Sequence, residues 1–82
     1  MRVVADLAHP AAKVTLLAWN GKYLLKLERG PYEQTYKIDE LDVSGDEDVK
    51  KLLEDDVFMN EVVERFDQMH LSLRAARERG GV

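Results

Sequence analysis

The stretch DELDVSGDED, Asp39 to Asp48, carries six carboxylates in ten residues and is the densest collection of hard-cation ligands in the chain. A calcium loop of the EF-hand type needs a glycine at its sixth position and a bidentate acid at its twelfth. Setting Gly45 sixth puts Glu40 first, Asp42 third and Ser44 fifth, but the twelfth position is then Lys51. The same residues are explained by helix chemistry. SGDE, Ser44 to Glu47, matches a capping box, in which the serine side chain accepts from the backbone of Glu47 and the glutamate reaches back. No metal site is expected.

The remaining reactive side chains make no constellation. His9 lies in a proline turn and His70 on a helix flank, neither at metal-ligand spacing nor beside a nucleophile. Glu28 and Glu33 flank a turn, but a catalytic carboxylate pair also needs a pocket between its members. Gly21, Gly30 and Gly45 belong to turns or a cap, so no phosphate-cradling loop is present. Neither an enzyme, a cofactor nor a small-molecule ligand is expected.

Trp19, the only tryptophan, is the residue with a binding use. It stands directly before Asn20-Gly21, the preferred pair for a two-residue type I′ turn because both central residues need positive φ. That turn sets Trp19 opposite Lys22, Ala18 opposite Tyr23, Leu16 opposite Leu25 and Val14 opposite Leu27. Leu16, Leu25 and Leu27 form the core face. The opposite face then carries Trp19, Leu17 and Leu24 beside Lys13, Lys22, Lys26, Lys37 and Thr35. The interaction surface read from this parity is Trp19, Leu17, Leu24, Lys22 and Lys26, and tryptophan is enriched among interface anchors.

Four strands position these residues. RVVADL, Arg2 to Leu7, reads as the first, with Val3, Ala5 and Leu7 on one face, ended by the proline of AHPAA. Lys13–Trp19 and Lys22–Glu28 are the hairpin, GPYE (Gly30 to Glu33) is the next turn with Pro31 second, and Gln34–Ile38 is the fourth strand. This places Leu27 against Tyr36 and Leu25 against Ile38. Helices follow. Val49, Leu52 and Leu53 make one apolar stripe; Phe58, Val62, Phe66, Met69 and Leu73 make another, roughly 140° away at 100° per residue. One straight helix cannot bury both, so a break is predicted near residues 54–57, with Asp55 or Asp56 capping the second helix. Gly80 or Gly81 ends it, and the tail RERGGV is expected to fray.

The expected fold is α+β: a four-stranded antiparallel β-meander followed by two C-terminal helices packed on the sheet, all in one domain over residues 1–82, with the sheet in 1–38 and the helices in 44–79. With 82 residues the chain buries a small core, and its 45% hydrophobic and 34% charged content suits a globular chain rather than a disordered one. The absence of cysteine removes disulfides and thiolate chemistry and fits a reducing cytoplasm. The N-terminus lacks an apolar signal region, and the longest apolar run, Val14 to Trp19, is far short of a membrane span. Net charge is −4, unevenly placed. Residues 1–38 hold six basic and three acidic groups, 39–67 three basic and twelve acidic, and 68–82 three basic and one acidic. The acidic middle is ill suited to lie along a nucleic-acid backbone.

The segment KVTLLAWNGKYLLKLERGPYEQTYKIDELDVSGDEDVKKLL, within a likeness running from Lys13 to about Phe66, resembles a family of small bacterial proteins, mainly of Bacteroidetes, that has no assigned activity. The resemblance implies a bacterial, cytoplasmic origin and supplies no catalytic residues. The function expected from the residues themselves is a small non-enzymatic protein-interaction module. Its partner is another protein chain, most simply a second copy. The alternative is single-stranded nucleic acid on the sheet, with Trp19 stacking a base and the lysines meeting phosphates.

Overall fold

In the computed structural model of residues 1–82, Asn20 and Gly21 have φ of 52° and 76°. Both are positive, as a type I′ turn requires. The turn joins β2 (Ala12–Trp19) to β3 (Lys22–Arg29) in the expected register, Trp19 facing Lys22, Leu16 facing Leu25 and Val14 facing Leu27. β1 (Arg2–His9) and β4 (Tyr32–Asp39) flank them, giving an antiparallel sheet in meander order. All four strands have eight residues.

Two turns differ from expectation. Gly30 has φ 58° and Arg29 pairs with Tyr32, so Gly30-Pro31 is a two-residue connection with its glycine first and its proline second, as in a type II′ turn. The tighter turn moves the β3–β4 register by two residues. Leu25 faces Tyr36, Leu27 faces Gln34 and Tyr23 faces Ile38. A shift of two preserves the face of every side chain, so the apolar parity survives. The β1–β2 connection is also shorter: β1 continues to His9, which pairs with Ala12 across Pro10-Ala11.

A second correction concerns the face of Val3. A bulge lies between Val3 and Ala5, so Val3 pairs with Leu17 while Ala5 pairs with Leu16 and Leu7 with Val14. The extra residue inverts the alternation. Val3 therefore joins Leu17 on the outer face, while Ala5 and Leu7 keep to the core side and Val4 packs against the core.

After a 3₁₀ turn at Glu40–Asp42, α1 (Asp46–Lys50) passes into a second 3₁₀ segment, Lys51–Glu54, and α2 spans Asp56–Gly80. The predicted break is present. Asp55 is extended at φ −81°, ψ 104°, and its carboxylate accepts from the backbone N–H of Val57 and Phe58 at 2.9 and 3.1 Å. The capping box at Ser44 is absent. Gly45 occupies the N-cap without a side chain to offer, and the Ser44 backbone N–H instead donates to Asp48 at 2.8 Å. The acid that reaches back is thus one residue later than Glu47. At the other end α2 stays helical through Gly80 and stops on Gly81, φ 67°.

The helices cover one face of the sheet. Val14, Leu16, Tyr23, Leu25 and Leu27 are buried against Val49, Met59, Val62 and Phe66. Gln34 Nε2 donates to the Val62 carbonyl at 2.9 Å, Tyr36 meets Phe58 edge-on, and Arg29 lies over the Phe66 ring while its guanidinium pairs with Asp67 at 2.6 Å. α2 therefore runs along the β3–β4 side. No helix is long and apolar enough to cross a membrane.

Candidate protein-interaction face

The face of the sheet away from the helices is open, and its register writes out as four cross-strand rows. One row is Trp19, Lys22 and Asp39; the next is Val3, Leu17, Leu24 and Lys37. Then come Asp6, Thr15, Lys26 and Thr35, and last Ala8, Lys13, Glu28 and Glu33. Apolar side chains occupy one corner, where Trp19 (54% exposed) and Val3 (63%) stand beside the half-buried Leu17 and Leu24. No helix lies over Trp19. Directly opposite residues on one face are about 5 Å apart, so these four make one continuous island rather than scattered residues.

Of the five residues read from the sequence, Trp19, Leu17, Leu24 and Lys22 come together at this corner. Lys26 sits one row away and is engaged, 3.3 Å from Glu33 and 4.0 Å from Glu28. It lies between two glutamates that face each other directly, which explains how Glu28 and Glu33 are tolerated side by side. Lys13, Lys22 and Lys37 have no ion-pair partner. Sequence reasoning missed Val3, because nothing in VVA marks the bulge that turns it outward.

The open face carries four lysines, at 13, 22, 26 and 37, and four acids, Asp6, Glu28, Glu33 and Asp39. It is neutral overall and holds no basic track.

Four of the six carboxylates of the acidic stretch, Asp39, Asp46, Glu47 and Asp48, are engaged. The Asp39 carboxylate accepts from the Leu41 N–H at 3.0 Å. Asp46 takes Tyr23 and Arg2, and its pKa is held below the ordinary value by the bonds from Arg2 and then Tyr23. Asp48 is likewise lowered, first by the Ser44 backbone N–H. No three metal-ligating side chains converge. Both histidines are engaged: His9 Nδ1 accepts from the Ala11 N–H at 3.1 Å within the turn, and His70 Nδ1 on α2 meets the Tyr32 hydroxyl of β4 at 3.0 Å. Comparison of the chain with family models, curated proteins and solved structures finds no match.

Proposed function

We propose that the protein is a small non-enzymatic interaction module whose open sheet face receives another protein chain. The observation that carries this reading is Trp19, more than half exposed on a regular strand and continuous with Val3, Leu17 and Leu24. Contiguous exposed apolar surface of this kind marks interaction sites. The two cations bordering the island, Lys22 and Lys37, lack ion-pair partners, so the chemistry that fits is an apolar anchor flanked by carboxylates. The neutral balance of the whole face weighs against nucleic acid, whose binding draws on phosphate neutralisation.

Position-specific crosslinking tests the reading. A photoreactive phenylalanine analogue at Trp19 or Leu24 should trap one discrete polypeptide in cells making the protein, and the same group at Glu78 should not. The trapped protein, purified, should lose binding to Trp19→Ala. Equal trapping at Glu78, or none at Trp19, overturns the proposal. So does quenching of Trp19 fluorescence by a deoxythymidine oligonucleotide at low salt.

A further inference from the structure

We infer that a second copy of this chain adds to the free edge of β1, two-fold symmetrically about Leu7, to make a continuous eight-stranded sheet. This contact is separate from the Trp19 corner and does not rest on the reading of that corner. His9 and Ala12 close a two-residue hairpin, and the closing pair of such a hairpin is hydrogen-bonded. Pairs alternate, so His9, Leu7 and Ala5 turn their backbone groups to β2, while Ala8 and Asp6 turn theirs to the free edge. None of the five backbone bonds outside the ladders and helices involves β1. No side chain reaches its backbone from the open side.

The register follows by elimination. An antiparallel partner must meet Asp6 and Ala8 with its own outward-facing residues. Asp6 against Asp6 opposes two carboxylates, which is destabilising. Ala8 against Ala8 puts Asp6 opposite Pro10, which has no N–H. Registers nearer the N-terminus run into the bulge between Val3 and Ala5, where the ladder is disrupted. Asp6 against Ala8 of the second copy remains, and by symmetry Ala8 against its Asp6. Each pair exchanges two N–H to C=O bonds. The symmetry axis then passes through the non-hydrogen-bonded pair of Leu7 with Leu7, the closer kind of cross-strand pair.

Leu7 is 46% exposed and borders an open groove of about 400 Å³ on the core side, whose apolar part is Ala5, Val14, Leu53 and Met59 and whose charged part is Glu47, Lys50 and Glu54. The second leucine enters there. The other edge is guarded. β4 points Glu33, Thr35, Lys37 and Asp39 along its outer row, Glu33 is tied to Lys26 and Thr35, and α2 runs beside it. Charged edges resist strand addition. With one receptive edge per chain, addition closes at two copies and cannot propagate.

The chain lacks cysteine, which makes the test clean. Light scattering should show wild-type dimers at concentrations on the order of 0.1–1 mM. Leu7→Cys should form a disulfide-linked dimer under mild oxidation, while Val3→Cys and Trp19→Cys should not. Ala8→Pro removes only an outward N–H, tolerated on an edge. It should keep the native circular dichroism and weaken dimerisation at least about tenfold. A monomer at every concentration, a dimer unaffected by Ala8→Pro, or crosslinking at Trp19→Cys in place of Leu7→Cys overturns the inference. Should Ala8→Pro fail to fold, the cysteine pattern alone decides.

Discussion

The Tyr23 hydroxyl donates to Asp46 at 2.7 Å, and the Arg2 guanidinium reaches the same carboxylate at 3.2 and 3.3 Å. One side chain at the start of α1 thus fastens β1 and β3. These are charge-assisted bonds, stronger than neutral ones. They hold the Asp46 pKa down and push those of Arg2 and Tyr23 up, in each case chiefly through the hydrogen bond.

Asp46→Asn tests this fastening by pH. A carboxylate whose folded pKa is depressed contributes stability above its unfolded pKa, near 3.8 here. The contribution fades as pH falls through the lower folded value. Wild-type stability should therefore fall on the acid side below about pH 4, and the melting temperature of Asp46→Asn should depend less on pH across that window. Identical acid limbs for the two proteins would remove the carboxylate from the account.

Gly21→Val tests the hairpin turn. A Cβ at Gly21 would meet no atom within 4 Å, so the cost is conformational. A β-branched residue resists the φ of 76°. The expected loss is more than about 1 kcal/mol, read as a lowered midpoint in urea. An unchanged midpoint would mean that the turn does not hold the register.

Local rules sufficed where one residue pair or one angle decided the outcome. Asn20-Gly21 yielded the β2–β3 register, and the angle between two apolar stripes yielded the break at Asp55. They failed where two local solutions competed. Gly30-Pro31 supports either a proline-second turn or a glycine-first II′ turn, and both keep Gln34 and Tyr36 on the face that meets α2, so the apolar pattern does not choose between them. The bulge at Val3–Ala5 has no local signature, since Val-Val continues a strand as readily as it bulges. It accompanies a tertiary demand: Arg2, opposite Ala18 on the core side, must reach Asp46. The capping box failed for a smaller reason, because the serine stands one residue before the N-cap. The outward placement of Trp19, Leu17 and Leu24 was legible through parity, which the register shift of two residues left intact, while Val3 was not, because the bulge changes its face.

Asp55→Ala tests the start of α2. Its carboxylate satisfies two backbone donors that the helix leaves orphaned. Losing an aspartate N-cap typically costs about 1 kcal/mol. The loss should appear as a lowered melting temperature, while Asp56→Ala, whose side chain caps nothing, should change it little. Equal effects of the two substitutions would show that charge near the helix start, rather than the cap, is what matters.

Trp19 and Phe66 are both large aromatic side chains, and the two faces of the sheet give them opposite energetic roles. Phe66 is fully buried beneath Arg29, and Phe66→Ala removes a ring whose space the small core cannot refill. The expected loss is about 3–5 kcal/mol, a large part of the stability available to a domain of this size. Trp19 is 54% exposed, and Trp19→Ala removes contacts only with its neighbours on the open face. The covered part of the indole, roughly 100 Å², is worth about 2 kcal/mol at most, and neighbours on the open face stay partly covered without it, so a loss of about 1–2 kcal/mol is expected. Chemical denaturation of the two variants measures the contrast. A Trp19→Ala variant as damaged as Phe66→Ala would make the tryptophan part of the core and leave the open face without its anchor. A Trp19→Ala variant that keeps the native fold while losing its crosslinked partner would separate binding from folding.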